Sequence, residues 1–454
     1  MTKTINSNTR EIALGILMEI VEKNNFSHQV LSRTLGQYQE LEKQDRAFIT
    51  RLCEGTTERL LTLDFIINCY SNVKVNKMKP VIRNLLRLSV YQFKYMNQVP
   101  DSAACNEAVK LAKKKGFGSL SGFVNGVLRN IIRFPEKVVY PEETKEPVKF
   151  LSITYSVPEW LIKHLLEQYK FQGVKAMLDA SFEDKKTSIR CNLNQTNPTE
   201  LKTALEQSGV TVSQGFYLPY AFKISDYNYL EQLEPFRSGQ FLVQDESSML
   251  VGAVSGVKQG DYVIDVCAAP GGKSLHVAEI MGNSGHVDSR DISERKVALI
   301  NDNIKRLKLK NIGTKVQDAV ELEKESIGKA DIVIADLPCS GLGIIGKKPD
   351  IKYNMTKEKM NDLVQVQREI LDVVQKYVKP NGVLIYSTCT VNKEENIGNV
   401  LWFKEHYNYI LEDMDAYLPG ALRSETTKAG YMQLLPGVHT LDGFFIARFK
   451  KSAK

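Results

Sequence analysis

Two cysteines stand where a reactive thiol would be useful. One lies in Asp336-Leu337-Pro338-Cys339-Ser340-Gly341 and the other in Tyr386-Ser387-Thr388-Cys389-Thr390, each just after a run of apolar residues that reads as a strand. A thiolate adds to an electron-poor carbon more readily than any other side chain near neutral pH. A lone buried cysteine is usually an inert small hydrophobe. Two at neighbouring strand mouths favour the reactive reading. A third pattern, Cys267-Ala268-Ala269-Pro270-Gly271-Gly272-Lys273-Ser274, comes after the apolar stretch 262–266. Small residues let backbone approach a ligand closely, and a helix start offers free N–H groups to an anionic group. A Walker A loop requires glycine five positions before Gly272, where Cys267 stands, and the G-x-G-x-x-G spacing is missing. What remains is a loop that cradles the amino-acid end of a nucleoside cofactor, or a purely structural turn.

Two further carboxylates occur at strand ends. Asp291 lies about 20 positions beyond the glycine loop, a spacing that suits acceptance from ribose hydroxyls; its plain alternative is a helix N-cap. Asp318 ends Val316-Gln317-Asp318 after a third segment. Three such ends in register suggest one nucleoside lying across the sheet edge. Cys267 could join the other two cysteines around a metal, but His276 is the only histidine near these motifs, and no metal is expected.

The elements that must position these groups form three stretches. Residues 7–133 read as helices, with apolar residues every three or four positions: Ile12, Ile16, Ile20; Leu60, Leu63, Ile67; Phe123, Val127, Ile131. Residues 134–157 look like a proline-bearing connector. From 158 to 245 the pattern mixes helix (159–169, 200–208) and strand (187–191, 222–225, 240–243), which suits a small α+β unit. From 246 to 450 strand and helix alternate, with strands at 262–266, 286–291, 330–336 and 382–386 and helices at 274–281, 294–307 and 359–378. That alternation predicts a largely parallel sheet with helices on both faces and ligands outside the carboxyl ends of its strands. The expected domains are 1–140, all-α; 150–240, small α+β; and 241–454, α/β of the Rossmann-like kind.

Length, charge and cysteine use set the outer limits. The chain has 454 residues, 43% hydrophobic and 25% charged, an ordinary globular balance. No apolar run is long enough for a membrane span, so no membrane partner is expected. The segment MTKTINSNTREIALGIL lacks the pattern of a secretory signal. Seven scattered cysteines without a CxxC pair favour a reducing, cytoplasmic interior. The net charge of +7 is uneven: residues 1–140 carry +9, with −1 in residues 1–70 and +10 in residues 71–140. Arg83, Arg87 and Lys94 fall at helical spacing, and Lys113, Lys114 and Lys115 come soon after. Such a zone attracts a phosphate backbone, or is simply a solvated basic face.

Three segments, VIDVCAAPGGKSLH, DIVIADLPCSGLG and LIYSTCTVNKEEN, resemble the RNA (cytosine-5) methyltransferases that use two cysteines. The helical first third, with TREIALGILMEI and SGFVNGVLRNI, resembles the NusB antitermination protein, and that combination is similar to the ribosomal RNA branch of the family. PEWLIKHLLEQY, IRCNLNQTNP, VQDESSML, PDIKY and DGFFIARF agree, so the likeness spans nearly the whole chain. The resemblance implies S-adenosylmethionine as cofactor. Cys267, Ala268, Ala269, Pro270, Gly271, Gly272 and Lys273 would hold its methionine part, Asp291 its ribose and Asp318 its adenine, while Asp336 would lie near the amine and the target base. It implies Cys389 as nucleophile and Cys339 as the thiol that helps release product; Lys273 is the candidate cation that ionises Cys389. Leu337, Leu342 and Gly346-Lys347-Lys348 depart from the common pattern. The implied reaction is methylation of carbon 5 at a cytosine-967-type site of 16S ribosomal RNA, or of a small-subunit assembly intermediate, by a monomer. A transfer RNA methyltransferase and a non-catalytic RNA-binding assembly factor are the rival readings.

Overall fold

In the computed structural model, residues 8–38, 40–183, 186–282 and 284–453 are described; the reading of the first seven residues lies outside these. Contacts divide the chain into two compact units instead of three. The first runs to Asp179 and includes Ile345–Asn354; the second comprises Ala180–Ile344 and Met355–Lys454.

The first unit is helical, as the periodicity predicts. Helix Ser121–Arg133 buries Val124, Val127, Leu128 and Ile131 along one stripe, at the i, i+3, i+4, i+7 spacing of a core-facing surface. Helix Pro80–Tyr95 starts with proline at its first turn, where the missing N–H has no intrahelical partner to lose. It joins Ile12, Ile16, Leu52, Leu63 and Leu111 in one apolar cluster. The expected connector is partly helical: Pro147–Tyr155 forms a helix capped by Ser156 in the left-handed region.

The basic zone of this unit is narrower than its composition suggests. Arg87 is buried, with two nitrogens on the Asp64 carboxylate at 2.7 Å and a third on Asn84. Arg83 is held by Glu22, its Nε at 2.8 Å from Oε1. Arg87 is thus an internal cation and not a surface one, and the half-buried Arg83 is engaged by Glu22: the acidic partners lie in other helices, out of reach of a local charge count. Lys94, Lys113, Lys114 and Lys115 are exposed. Lys114 and Lys115 share Glu11 at 2.6 and 2.8 Å and pull its carboxyl below the usual range.

Residues 345–354 belong to this unit although their sequence neighbours belong to the other, which also departs from the expected boundaries. Lys352 is buried and donates to the carbonyls of Glu58 at 2.8 Å and Tyr155 at 3.1 Å. These are the last residues of helices Lys43–Glu58 and Pro147–Tyr155, where unpaired carbonyls and the helix dipole favour a cation. Tyr353 adds hydrogen bonds to the Glu58 and Ser156 carbonyls, and Asp350 accepts from Ser27.

The second unit holds two sheets. The small one comprises β1 (Thr187–Cys191), β2 (Thr211–Gln214), β3 (Ala221–Ser225) and β4 (Phe241–Val243), antiparallel in the order β2-β3-β1-β4. This part has its own apolar cluster of Ile189, Leu201, Leu205, Phe222 and Phe241, while Leu218, Ala221 and Leu242 join Leu250, Leu275 and Val277 in the cluster of the large sheet. The large sheet contains β5 (Tyr262–Asp265), β6 (His286–Asp291), β7 (Ile312–Val316), β8 (Ala330–Asp336), β9 (Val378–Thr388), β10 (Tyr409–Leu411), β11 (Tyr431–Leu434) and β12 (Phe444–Lys451). Its order is β10-β12-β9-β8-β5-β6-β7, with β11 also on β12. The five strands β5–β9 are parallel to one another; β12 runs antiparallel to β9, β10 and β11. The sheet is therefore mixed, with the expected parallel part carrying the motifs. Among the described residues, no helix is long and apolar enough to cross a membrane.

Replacing Lys352 by Met keeps the apolar stem but removes the donor to the Tyr155 carbonyl and one of the two donors to the Glu58 carbonyl. The first unit should lose about 1–3 kcal/mol, read as a lower urea midpoint; an unchanged midpoint would show that water serves those carbonyls equally well.

Candidate active site

The cofactor loop begins at the end of β5. Ala268 N–H donates to the Arg290 carbonyl, and Ala269 N–H donates to Asp291 Oδ2, both at 2.9 Å. Gly271 takes φ +106, and a Cβ there would meet Leu275 at 3.1 Å and Ile300 at 3.3 Å. Only glycine fits that turn without strain. Helix Gly272–Ile280 comes next. Asp291, at the end of β6, also accepts from Ile292 N–H at 2.8 Å and faces Lys296 at 2.9 Å. It ties the loop to the next strand; Oδ1 is taken by Ile292 and Lys296, and Oδ2 has a lone pair left for a hydroxyl. Asp318 lies beyond β7 as a half-buried turn residue, accepting from Val320 N–H at 3.2 Å.

Asp265 is a group the sequence reading missed. It is fully buried at the end of β5; one oxygen accepts from Ser274 at 2.6 Å and the other has no partner. Burial pushes its pKa up to about 7, against the help of Ser274 and Lys273. A loop of small residues with an orphaned buried acceptor fits a cationic, amine-bearing ligand such as S-adenosylmethionine. Cys267 is a different matter from the other two cysteines. Burial first, then the charges of Asp265, Asp291 and Asp336, push its thiol far up, so it stays a neutral wall of the loop.

Arg190 was also missed. Its guanidinium is buried, donating to the Gly272 carbonyl at 2.9 Å and to both oxygens of Glu279 at 2.7 and 3.2 Å, with Gln244 completing the fork. Strand β1 thus holds both ends of the helix after the cofactor loop. No local motif signals this, because the partners lie 82 and 89 residues away.

The reactive centre forms between β8 and β9. These strands pair in parallel with Asp336 opposite Ser387. Asp336 Oδ2 meets Lys273 Nζ at 2.6 Å, and Oδ1 accepts from Ser387 at 2.7 Å. Burial works to lower the Lys273 ammonium, but Asp336, Asp265 and Cys389 outweigh it and its pKa rises; it remains a cation. Just beyond, Cys339 Sγ and Cys389 Sγ stand 3.3 Å apart. The hydrogen bond to Cys389, burial, and the charges of Cys389 and Glu395 drive Cys339 well above the ordinary thiol range. These neighbours oppose ionisation of Cys339, whose sulfur lies within hydrogen-bond distance of the Cys389 sulfur. All of Lys273, Asp336, Cys339 and Cys389 converge, while Arg83, Arg87, Lys94 and Lys113–115 belong to the other unit. Among the described residues, no cluster of three or more His, Cys, Asp or Glu could hold a metal.

The raised Asp265 has a pH signature. The native carboxyl holds its proton up to about 7, whereas the unfolded one releases it near 3.8. Between those values the native state binds more protons, so this contribution to stability falls as pH rises. Asp265→Asn should remove that fall, read as the pH 4.5 to 7.5 change in urea midpoint of ligand-free protein; identical changes in both proteins would refute it.

Comparison with known proteins agrees with this geometry. The profile of the family described as "16S rRNA methyltransferase RsmB/F" matches residues 254–450, the NusB family matches 7–133, and the ferredoxin-like domain of RsmF/B-like methyltransferases matches 157–229. The chain is 35% identical over 448 residues to the probable ribosomal RNA small subunit methyltransferase B of Bacillus subtilis (strain 168), covering 98% of this chain and 99% of that one. It is 32% identical to the protein of that name from Synechocystis, again over 98% and 99% of the two chains. The crystal structure of PH0851 superposes with a TM-score of 0.81 at 25% identity, over 99% of this chain and 100% of the other. A single likeness thus extends over the helices, the small sheet and the catalytic sheet together, and the chain belongs to the ribosomal RNA small subunit methyltransferase B family of S-adenosylmethionine-dependent enzymes.

Proposed function

We propose that this enzyme methylates carbon 5 of one cytosine in 16S ribosomal RNA, at a cytosine-967-type position, through a transient bond from Cys389 to carbon 6. The observation that carries the reading is the sulfur pair, 3.3 Å apart and beside the Lys273–Asp336 ion pair. We take the enzyme to act as a monomer in the cytoplasm, on naked RNA or on an assembly intermediate.

Carbon 5 of cytosine is a poor nucleophile. Addition of the Cys389 thiolate to carbon 6 moves an electron pair toward carbon 5 and ring nitrogen 3. Asp336, supplied with a proton by the Lys273 ammonium, bonds to nitrogen 3 and stabilises the enamine. The bound cofactor supplies an electrophilic methyl group on its sulfonium. The residues around it hold and orient: the 267–273 loop at the methionine end, Asp291 at the ribose, Asp318 at the adenine. Once Cys389 is bonded to carbon, its charge and its hydrogen bond to Cys339 are gone. The two causes that held the Cys339 proton through its neighbour vanish with them. Cys339 can then release its proton to bulk solvent and, as thiolate, take the proton from carbon 5, whose electron pair expels Cys389 as thiolate; the one proton lost to solvent is the net proton of the methylation. The nitrogen 3 proton returns to the Lys273–Asp336 pair. The target base must leave its stack to reach these groups, at a cost of a few kcal/mol that is lowest in a loop.

Lys94 and Lys113–115 are the RNA-facing cations in this reading; their bland alternative is dipole compensation in the last turns of helices Pro80–Tyr95 and Asp101–Lys114.

Cys389→Ala should abolish methyl transfer to small-subunit ribosomal RNA, while Cys339→Ala should accumulate a denaturation-resistant protein–RNA adduct. Turnover by the first variant, or preference for transfer RNA over small-subunit ribosomal RNA in transfer of a tritiated methyl group by the wild-type enzyme, would overturn the reading. Neutralising Lys94 and Lys113–115 should flatten the salt dependence of RNA binding by roughly 0.7–0.9 in log–log slope for each phosphate left unneutralised. An unchanged slope would leave these lysines as helix-end compensation only.

A further inference from the structure

Glu395 is completely buried in the turn Glu394–Gly398, downstream of Cys389. Four neutral donors converge on its carboxylate. Ser340 N–H reaches Oε2 at 2.8 Å and Gln367 Nε2 the same oxygen at 3.0 Å; Asn392 Nδ2 reaches Oε1 at 3.0 Å, joined there by the Ser340 hydroxyl. A buried carboxylate is expensive unless its lone pairs are matched, and here each oxygen receives two donors. Simple filling of the core does not call for such a group.

What the four donors have in common is their place. Ser340 comes directly after Cys339, and Asn392 lies three residues after Cys389. Gln367 sits on helix Lys357–Val374 and also donates to the Pro338 carbonyl at 2.9 Å, on the other side of Cys339. A second bridge runs in parallel: Ser340 Oγ and Thr390 Oγ1 are 2.7 Å apart. A serine hydroxyl has one proton. Because Ser340 gives it to Glu395, Thr390 must be the donor to Ser340, and Thr390 in turn accepts from Asn392 N–H at 3.2 Å. The hydrogen bonds therefore all point one way, from the Cys389 loop through the residue after Cys339 into Glu395.

We propose that Glu395 is a positioning residue, which locks the Cys339 loop against the Cys389 loop and so sets the distance and orientation of the two sulfurs. Its carboxylate also faces Cys339 and opposes ionisation of that thiol. This rests on the roles proposed for the two cysteines, but it makes a statement about thiol reactivity that needs no RNA.

Glu395→Gln replaces one acceptor oxygen by a donor facing other donors; Ser340→Ala removes only the hydroxyl link. Retained S-adenosylmethionine binding certifies the fold, and if the first variant loses it, the second decides. Alkylation by iodoacetamide at pH 7, followed at each cysteine by peptide mass, should show the Cys339-to-Cys389 rate ratio rising roughly tenfold in Glu395→Gln and less in Ser340→Ala, since thiolate fraction controls the rate. The kcat of methyl transfer should fall about tenfold or more with both KM values within about twofold, the pattern of an interaction made only in the transition state. An unchanged alkylation ratio in a variant that binds the cofactor overturns the proposal, as does an unchanged kcat. Should Cys389→Ala retain methyl transfer, the function reading falls, while the alkylation ratio still judges Glu395 on its own.

Discussion

The chemistry depends on a register. Strands β8 and β9 pair in parallel with Asp336 beside Ser387, and Leu337 N–H continues the ladder to the Ser387 carbonyl at 3.1 Å. Three residues beyond Asp336 is Cys339; two beyond Ser387 is Cys389. The next contact is equally close: Gly343 N–H donates to the Cys389 carbonyl at 3.1 Å, and a Cβ on Gly343 would meet the Gly443 carbonyl at 2.1 Å. Glycine at 343 is thus a packing requirement of the Cys389 loop. A slip of one residue in β8 against β9 would turn every side chain of the strand to the other face and separate the sulfurs, so the buried Val, Ile and Leu of these strands specify the active site as well as the core.

Around that register, charge is placed in graded steps. Arg190 and Glu279 form a buried bidentate pair whose purpose is mechanical, fixing the helix under the cofactor loop. Lys273 and Asp336 form a second pair with part of the carboxylate open, able to exchange a proton with a base. Asp265 is left half-satisfied, an acceptor waiting for a ligand cation. Each step is costlier to bury than the last unless a partner arrives, which is the usual distinction between groups that hold a site together and groups that act in it.

How legible this was in the sequence depends on distance along the chain. The cysteine motifs, the 267–273 loop and the alternating strands are local patterns, and the structure places them together. Asp265 could have been found: it is the strand residue just before a loop already singled out. Glu395 lies in the run LIYSTCTVNKEEN, but its partners Ser340 and Gln367 are 55 and 28 residues away, and nothing in spacing marks a buried acceptor. The same limit misled the charge reading. Arg83 and Arg87 look like a basic face in one helix, and become paired once Glu22 and Asp64 fold against them. The antiparallel strand β12 was hidden for another reason, since Phe444–Lys451 carries no flanking helix to announce it.

Two chemically identical side chains must do different work in this centre, and the structure distinguishes them through their neighbours alone. Cys389 has the Lys273 ammonium close enough for its charge to be felt. Cys339 has a carboxylate behind it and the Cys389 sulfur in front. Moving a proton between two sulfurs 3.3 Å apart costs little in geometry, so in the proposed reaction the surrounding charge decides which sulfur adds to the base and which keeps its proton. That decision is reversible by design of the chemistry: bonding Cys389 to carbon removes one of the two charges that confine the Cys339 proton. In the proposed reaction the order of events, addition before release, follows from electrostatics at one pair of strand ends and needs no moving part.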